Sequence, residues 1–398
     1  MEYKKRIVFS YPAMMLGGST TSLLSILNRI DYSKFDVDLL LDSHTGPWFD
    51  KIPENVNLLP PAYLYTNKRK EIVHRLLSPK YMSAFFISKI ISCKDKNPRH
   101  GVQYLEMKDV EFYREIKKEY DVAVAFLEGR QCKFVAKHIK AKRKIAWIHI
   151  DYGDSQFDPK YDKMSMEKFD KIVLVSEKCK ESFDALFPDL KGKTCVIENI
   201  LSKEHIKKMS EEKCDLKIEE GKINLATTCR ISFQSKGLDR AIKAFEMLKM
   251  EGLLKDIKWF ILGDGPDMEK LKDLINQAQL SEFISLLGMQ TNPYKYLKNM
   301  TLFFLPSRWE GKPMAVTEAF ILGLPVLVTN YTSAHEQVRD AIDGVVVENS
   351  TEGIYKGLLY IMRHKKIIED LRKCVEITDY SNTREMVKIF DLIDHTDN

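Results

Sequence analysis

No stretch of this 398-residue sequence reaches the roughly 20 uninterrupted apolar residues that a membrane-spanning helix needs. The opening MEYKKRIVFSY is basic and then apolar, but its apolar run is too short for a signal peptide and no small-residue cleavage site follows. It reads as a first buried strand. The seven cysteines are scattered, with no CxxC and no Cys/His cluster, which excludes a disulfide framework and a structural zinc site. A reducing cytoplasm is the expected location. A G-x-G-x-x-G after the first apolar run is also missing, since Gly17-Gly18-Ser19 does not supply it, and an oxidoreductase built on that fingerprint is excluded. Carboxylates clustered for magnesium or manganese are absent as well. Asp264, between Gly263 and Gly265, is one carboxylate in a turn. No metal and no cofactor are therefore expected. There is no internal repeat, no low-complexity segment and no recognisable nucleic-acid module.

What is present is the composition of a folded protein, 44% hydrophobic and 30% charged, in a chain long enough for two domains. Short β-branched runs alternate with amphipathic segments, the pattern of parallel α/β domains. Strands are predicted over 6–11, 36–41, 121–126, 144–148, 171–175 and 195–198, with helices over 19–29, 110–118 and 177–186. The pattern lapses into a Lys- and Glu-rich passage over 202–221, read as the interdomain connection. It then restarts, with strands over 223–228, 259–262, 284–287, 302–305, 326–329 and 345–347 and helices over 238–248, 268–277 and 315–322. The expected organisation is a domain over 1–200, a second over 201–381, and a C-terminal helix near 382–398 that packs back on the first. Two doubly wound domains would set strand ends and helix N-termini on either side of a cleft.

Charge is unevenly divided. Residues 1–200 carry 34 Lys and Arg against 27 Asp and Glu, and the remainder carries 28 against 30. The excess lies in 66–100, where Lys68, Arg69, Lys70, Arg75, Lys80, Lys89, Lys94, Lys96 and Arg99 face only Glu71 and Asp95. Phe85, Phe86, Ile87, Ile90 and Ile91 are interleaved with them. Such a segment suits an anionic membrane surface. The same residues also fit a solvated helical insertion whose apolar side chains face the core.

The most informative stretch is SRWEGKPMAVTEAFILGLPVLVT, residues 307–329. An apolar strand leads into a loop with Glu310, Gly311, Lys312 and Pro313, and a helix begins near Met314 with Glu318 in its first turns. Pro313 suits a helix start because it has no N–H to leave unpaired. Gly311 lets backbone approach a ligand. Glu310 can accept from two neighbouring hydroxyls of a sugar, and Glu318 from a ribose diol. Upstream, Arg230 and Lys236 fall between a strand end and a helix start. Two fixed cations there would stabilise charge developing on a leaving phosphate. Gly17 and Gly18 form a Gly-rich turn between the first strand and helix, able to cradle a phosphate. His149 and Asp151 follow a strand in WIHID, where Asp151 reads equally well as a cap of the next segment; Glu128 lies in FLEGR and reads first as a loop or helix-start residue and second as an acceptor contact.

The 307–329 stretch resembles the E-x7-E region of family 4 glycosyltransferases, retaining enzymes of the GT-B fold. CRISFQSKGLDRAIKAFEML is similar to the segment that opens their C-terminal domain, and ILGDGPDMEKL to their G-x-G-P turn at Gly263–Pro266. The resemblance implies two Rossmann-like domains and transfer of a sugar, with retention, from a nucleoside diphosphate sugar, UDP-sugar favoured. Arg230, Lys236, Glu310 and His149 would be the catalytic set. Gly17, Gly18, Gly263, Gly311, Lys312, Pro313, Met314 and Glu318 would bind the donor, and Glu128 and Asp151 would lie on the acceptor side. It implies a glycan acceptor, lipid-linked as in bacterial capsular or exopolysaccharide synthesis, with peripheral contact on an anionic membrane, and neither nucleic acid nor metal. A nucleotide-sugar epimerase or phosphorylase on a similar fold is the rival enzyme class; no pyridoxal-phosphate lysine site is evident. A nucleic-acid-binding protein is the non-enzymatic rival, resting on the basic patch alone.

Overall fold

The computed structural model describes residues 4–62, 68–95, 97–108, 113–114, 116–219 and 221–394. The chain forms two compact units, Met1–Ile200 with Arg384–Asn398, and Leu201–Thr383. The first unit holds a parallel sheet of seven strands: β1 (Lys5–Tyr11), β2 (Phe35–Leu41), β3 (Asn57–Leu58), β4 (Glu119–Ala125), β5 (Lys140–Ile148), β6 (Lys171–Leu174) and β7 (Thr194–Val196). Their order is β3-β2-β1-β4-β5-β6-β7. In the second unit β8 (Ile223–Thr228), β9 (Ile257–Leu262), β10 (Ile284–Gly288), β11 (Leu302–Leu305), β12 (Val326–Thr329) and β13 (Gly344–Val347) form a parallel sheet ordered β10-β9-β8-β11-β12-β13. In both, the order reverses beside the first strand, between β1 and β4 and between β8 and β11. Ligands of open α/β sheets bind outside the carboxyl ends of the strands at such a reversal.

These segments become strands because helices cover both sheet faces, so the strands read as continuous apolar runs. Ile7, Val8 and Phe9 are wholly buried, as are Leu302, Phe303 and Phe304, and Val326 to Val328. Each predicted strand lies within four residues of an observed one at either end. The two-residue edge strand β3 carries no such run and escaped prediction.

Two expectations are corrected. The passage 202–221 is not a bare connection. Lys203–Ser210 is a helix of the second unit, capped by the Ser202 hydroxyl, which accepts from the His205 N–H at 3.3 Å. Ile206 is buried in that unit's core. Only Ile206 and the partly buried Met209 among the lysines anchor it, which is too little for a periodic signal. The helix predicted over 110–118 lies partly outside the described residues, and 113–114 and 116–118 are not helical. The helix instead occupies Pro98–Lys108. Lys96 of the basic stretch also lies outside the described residues.

The last described helix, Glu385–Asp394, belongs to the first unit, where Met386, Ile389, Leu392 and Ile393 join the core built on β1, β2 and β4. Its Glu385 Oε2 accepts from the Glu198 N–H at 3.0 Å. Replacing the wholly buried Ile389 by Ala is expected to cost the first unit about 2–5 kcal/mol. Val387→Ala, on the exposed side of the same helix, should cost under about 0.5 kcal/mol. Chemical denaturation of the two variants checks this, and equal losses would contradict the docking.

Candidate active site

The second unit gathers most of the singled-out residues at the carboxyl ends of β8, β9 and β11. Three loops meet there with almost no side chain between them. A Cβ on Gly263, which sits at φ +143°, would lie 1.8 Å from the Cys229 carbonyl oxygen, and one on Gly265 would lie 2.2 Å from that of Ile231. The Gly263–Pro266 turn therefore lies directly against the backbone that carries Arg230. The Ile231 N–H donates to Asp264 O at 2.9 Å across this contact. Arg230 itself is exposed.

Gly237, at φ +62°, plays the same part on the other side, since its Cβ would be 2.3 Å from Pro306 O. The Arg308 N–H donates to Ser235 O at 2.7 Å. This approach delivers Lys236 to Glu310, Nζ to Oε1 at 2.6 Å. The Ser307 hydroxyl donates to the same oxygen at 2.5 Å. Glu310 is only 8% exposed, and among the described residues its Oε2 has no protein partner. Below the loop, Arg308 is bidentate on Asp239 at 2.7 Å for each nitrogen. Arg240 holds Asn349, whose Nδ2 donates to Arg308 O at 2.7 Å.

Gly311 to Pro313 lead into the helix Met314–Ile321. Pro313 occupies the capping position rather than the first helical one, and its carbonyl accepts from Gln337 Nε2 at 2.9 Å. Glu318 is the helix's one ionisable residue. Its Oε1 accepts from the Tyr294 hydroxyl at 3.0 Å. Burial pushes its carboxyl up to about 7, with the Tyr294 hydrogen bond opposing. Tyr294, Gln337, Asn349, Arg240 and Ser307 escaped sequence reading, because nothing local distinguishes a tyrosine or an asparagine that supports a loop from one that does not.

In the first unit, Gly17 precedes the helix Gly18–Leu27, whose N-terminus has no side-chain cap and open space beside Gly17. The Tyr11 hydroxyl contacts Ser19 Oγ at 2.7 Å and Thr20 Oγ1 at 3.0 Å, steadying that turn. His149 follows β5, with its ring 5.0 Å from Phe126. Burial holds its imidazole pKa down to about 3, against the pull of Asn199. It is therefore a neutral group at working pH. Glu128 joins it, accepting the His149 N–H at 3.0 Å, and burial raises its carboxyl.

Asp151 is a different case. Its Oδ1 accepts from Ser182 Oγ at 2.7 Å and from the Gly153 N–H at 3.0 Å, and the residue is buried. These contacts hold the turn that follows β5. Asp42, after β2, was not foreseen: burial pushes it up to about 6, with Arg130 and Gln131 opposing. Among the described residues, one group has metal-ligand spacing, Asp95, His100 and Asp158. There the Lys160 ammonium already lies 2.5 Å from Asp158.

Residues 209–378, most of the second unit, match the model of the family described as glycosyl transferases group 1. An uncharacterized glycosyltransferase of Methanocaldococcus jannaschii is 29% identical over 280 residues, 62% of this chain and 68% of the relative. The UDP-Gal:alpha-D-GlcNAc-diphosphoundecaprenol alpha-1,3-galactosyltransferase of Escherichia coli is 30% identical over 144 residues, 35% of this chain and 37% of that protein. The alignment thus spans little more than a third of the second relative's length. The crystal structure of HepE from Anabaena in complex with UDP superposes with a TM-score of 0.66 over 98% of this chain and 99% of that one, at 13% identity. The fold is GT-B, with two Rossmann-like parallel-sheet domains.

Glu318 yields a pH-dependent prediction. Its folded pKa of about 7 lies above the ordinary 4.5. Its favourable contribution is complete below about pH 4.5 and is lost as pH rises through 7, where the buried charge costs about 3 kcal/mol. Glu318→Gln keeps an acceptor for Tyr294 and carries no charge. It should raise the denaturation midpoint of the ligand-free protein at pH 8 and leave it unchanged near pH 4.5. A lower midpoint at pH 8 would contradict this account.

Proposed function

We propose that the protein is a retaining glycosyltransferase that moves a sugar from a nucleoside diphosphate sugar, UDP-sugar favoured, to a lipid-linked glycan. The observation that carries this reading is the 2.6 Å pair of Lys236 and Glu310. A ligand that meets both must offer a hydroxyl to the carboxylate and an anionic oxygen to the ammonium within a few ångströms. A sugar joined to a phosphate does so. The ammonium has three donors, so one bond to Glu310 leaves two for phosphate oxygens.

In this reading Glu310 and the backbone of Gly311, Lys312, Pro313 and Met314 hold the sugar, and Glu318 holds the ribose. Arg230 and Lys236 stabilise the charge that grows on the diphosphate as the glycosidic bond breaks, which lowers the barrier because that charge is larger in the transition state. Two fixed cations do this without a divalent metal. The leaving phosphate takes the acceptor's proton on the same face, giving retention. Gly17, Gly18, His149 and Glu128 lie in the first unit, where burial holds the His149 imidazole well below its ordinary pKa.

The acceptor part of the proposal rests on the helices Lys68–Leu77 and Pro79–Lys94. No helix among the described residues is long and apolar enough to cross a membrane. Yet Ile72, Val73, Leu76, Leu77, Phe86, Ile87 and Ile90 are exposed, Leu77 to 74%. They do not face a core. With Lys70, Lys89 and Lys94 also exposed beside them, they suit the interface of an anionic leaflet, where a lipid-linked acceptor would lie. The Escherichia coli relative's named acceptor is a diphosphoundecaprenol-linked sugar. Cytoplasmic location at the inner membrane face follows from the same reading.

Arg230→Ala and Lys236→Ala should each lower turnover about 100-fold or more in a nucleotide-sugar transfer or hydrolysis assay. Near-normal turnover in both would overturn the assignment, and so would loss of activity in EDTA that magnesium restores. Changing Lys70, Lys89 and Lys94 together to Gln should release the protein from anionic vesicles at low salt, each side chain contributing about 1 kcal/mol. Donor hydrolysis should be unchanged. A parent protein that ignores anionic vesicles at low salt would remove the membrane part of the proposal.

A further inference from the structure

Glu318 has no ion pair among the described residues. Its one polar partner is a phenol, and the reason for that choice lies in how the phenol is held. Tyr294 is buried in the same apolar cluster as Met314 and Ala319. It opens the short helix Tyr294–Leu297. Asn292 fixes that helix from both sides. Its Oδ1 accepts from the Tyr294 N–H at 3.1 Å, and its Nδ2 donates to Met209 O at 2.8 Å. The phenol thus has little freedom, and burial with the neighbouring Glu318 charge keeps it protonated, well above its ordinary range. It is a permanent donor aimed at one carboxylate oxygen.

We propose that Tyr294 is a positioning residue for ribose recognition: its hydroxyl holds Glu318 by Oε1 and leaves Oε2 turned out for the vicinal diol of the donor's nucleoside. The inference rests on the proposed role of Glu318. A carboxylate on a flexible chain would lose rotamer freedom on gripping a diol, whereas one fixed beforehand meets the ligand already oriented. A lysine or arginine in the place of Tyr294 would also hold Glu318, but it would neutralise the charge that makes its hydrogen bonds to hydroxyls strong. A phenol orients the carboxylate and leaves the charge in place.

The other elements packed on Glu318 add no counter-charge. β11 and β12 carry no ionisable side chain. The helix Lys203–Ser210 turns Ile206 and Ser210 inward, while Glu204, His205, Lys207 and Lys208 are exposed and Lys203 pairs with Asp379. Lys295, on the helix of Tyr294, lies over the Tyr296 ring at 5.3 Å. Titration of Glu318 is therefore governed by burial and by Tyr294.

The test compares UDP with 2′-deoxy-UDP by calorimetry between pH 6 and 8.5, in the full chain. The parent should prefer UDP about tenfold or more, with UDP affinity rising as pH increases and Glu318 ionises. Tyr294→Phe should weaken UDP binding about tenfold, bring the preference to within about threefold, and move the rise to higher pH. Affinity for 2′-deoxy-UDP should change little, an outcome that general loosening of the fold would not produce. Because Tyr294→Phe could destabilise the short helix, 3-fluorotyrosine at position 294, a stronger donor of nearly the same shape, provides the second reading. It should shift the rise to lower pH. If Tyr294→Phe and fluorotyrosine both leave the preference and the pH profile unchanged while Glu318→Gln abolishes the preference, the positioning role is wrong and the ribose role of Glu318 stands. If Glu318→Gln leaves the preference intact, the ribose assignment is wrong and the role of Tyr294 falls with it.

Discussion

A Cβ 1.8 Å from a carbonyl oxygen cannot exist, and at Gly263 the second unit has arranged its backbone as though none ever would. Gly265 and Gly237 impose the same condition on their neighbours, at 2.2 Å from Ile231 O and 2.3 Å from Pro306 O. Together the three glycines draw the loops after β8, β9 and β11 into backbone contact at the point where strand order reverses. Side chains that would otherwise stand apart converge as a result: Arg230 rides on the segment pressed by the glycine turn, and Lys236 reaches Glu310 across the contact made by Gly237. Larger residues at these positions would separate the loops by the width of a methyl group, and the 2.6 Å ion pair would be lost to geometry before any chemistry was altered.

Within that frame the two glutamates are treated in opposite ways. Glu310, buried, receives a cation and a hydroxyl on one oxygen. Glu318 receives only a phenol, and its carboxyl is pushed up to about 7. The two carboxylates, one on the loop and one on the helix, are thus given different partners, an ammonium for Glu310 and a phenol for Glu318. The burial that makes Glu318 costly when ionised also strengthens its hydrogen bond from Tyr294, because the local dielectric is low. Gln337 and Asn349 supply the rigidity this requires: one ties Pro313 at the helix start, the other ties Arg308 in the preceding loop.

The strands were legible because burial on both faces writes them as unbroken apolar runs, and Leu302–Leu305 and Val326–Thr329 match their predicted bounds residue for residue. The loop residues were legible because Gly, Pro and Glu at fixed spacing leave few other uses for the chain. The groups that support them were not. Tyr294 acts on Glu318 from 24 positions away, and Gln337 acts on Pro313 from the same separation. Such pairings depend on tertiary contact and leave no local periodicity. Asp151 is similar: its turn contacts with Ser182 and Gly153 depend on a partner 31 positions away and leave no mark in the local sequence.

The helices of the basic stretch show what a helix can do with its small residues. In Pro79–Lys94 the buried side chains are Ala84 and Ser88, while Phe86, Ile87 and Ile90 point outward. The neighbouring helix Pro98–Lys108 approaches so closely that a Cβ on Gly101 would lie 2.1 Å from Ser92 Oγ and 2.2 Å from Ser88 O. Small residues inside and large apolar residues outside is the reverse of ordinary amphipathic packing. In water, each large apolar side chain left uncovered forgoes about 1.5–3 kcal/mol of burial. An insertion built only to extend the core would have turned Phe86 and Ile90 toward it. Having turned them away, it leaves that energy ungained in the chain as it stands.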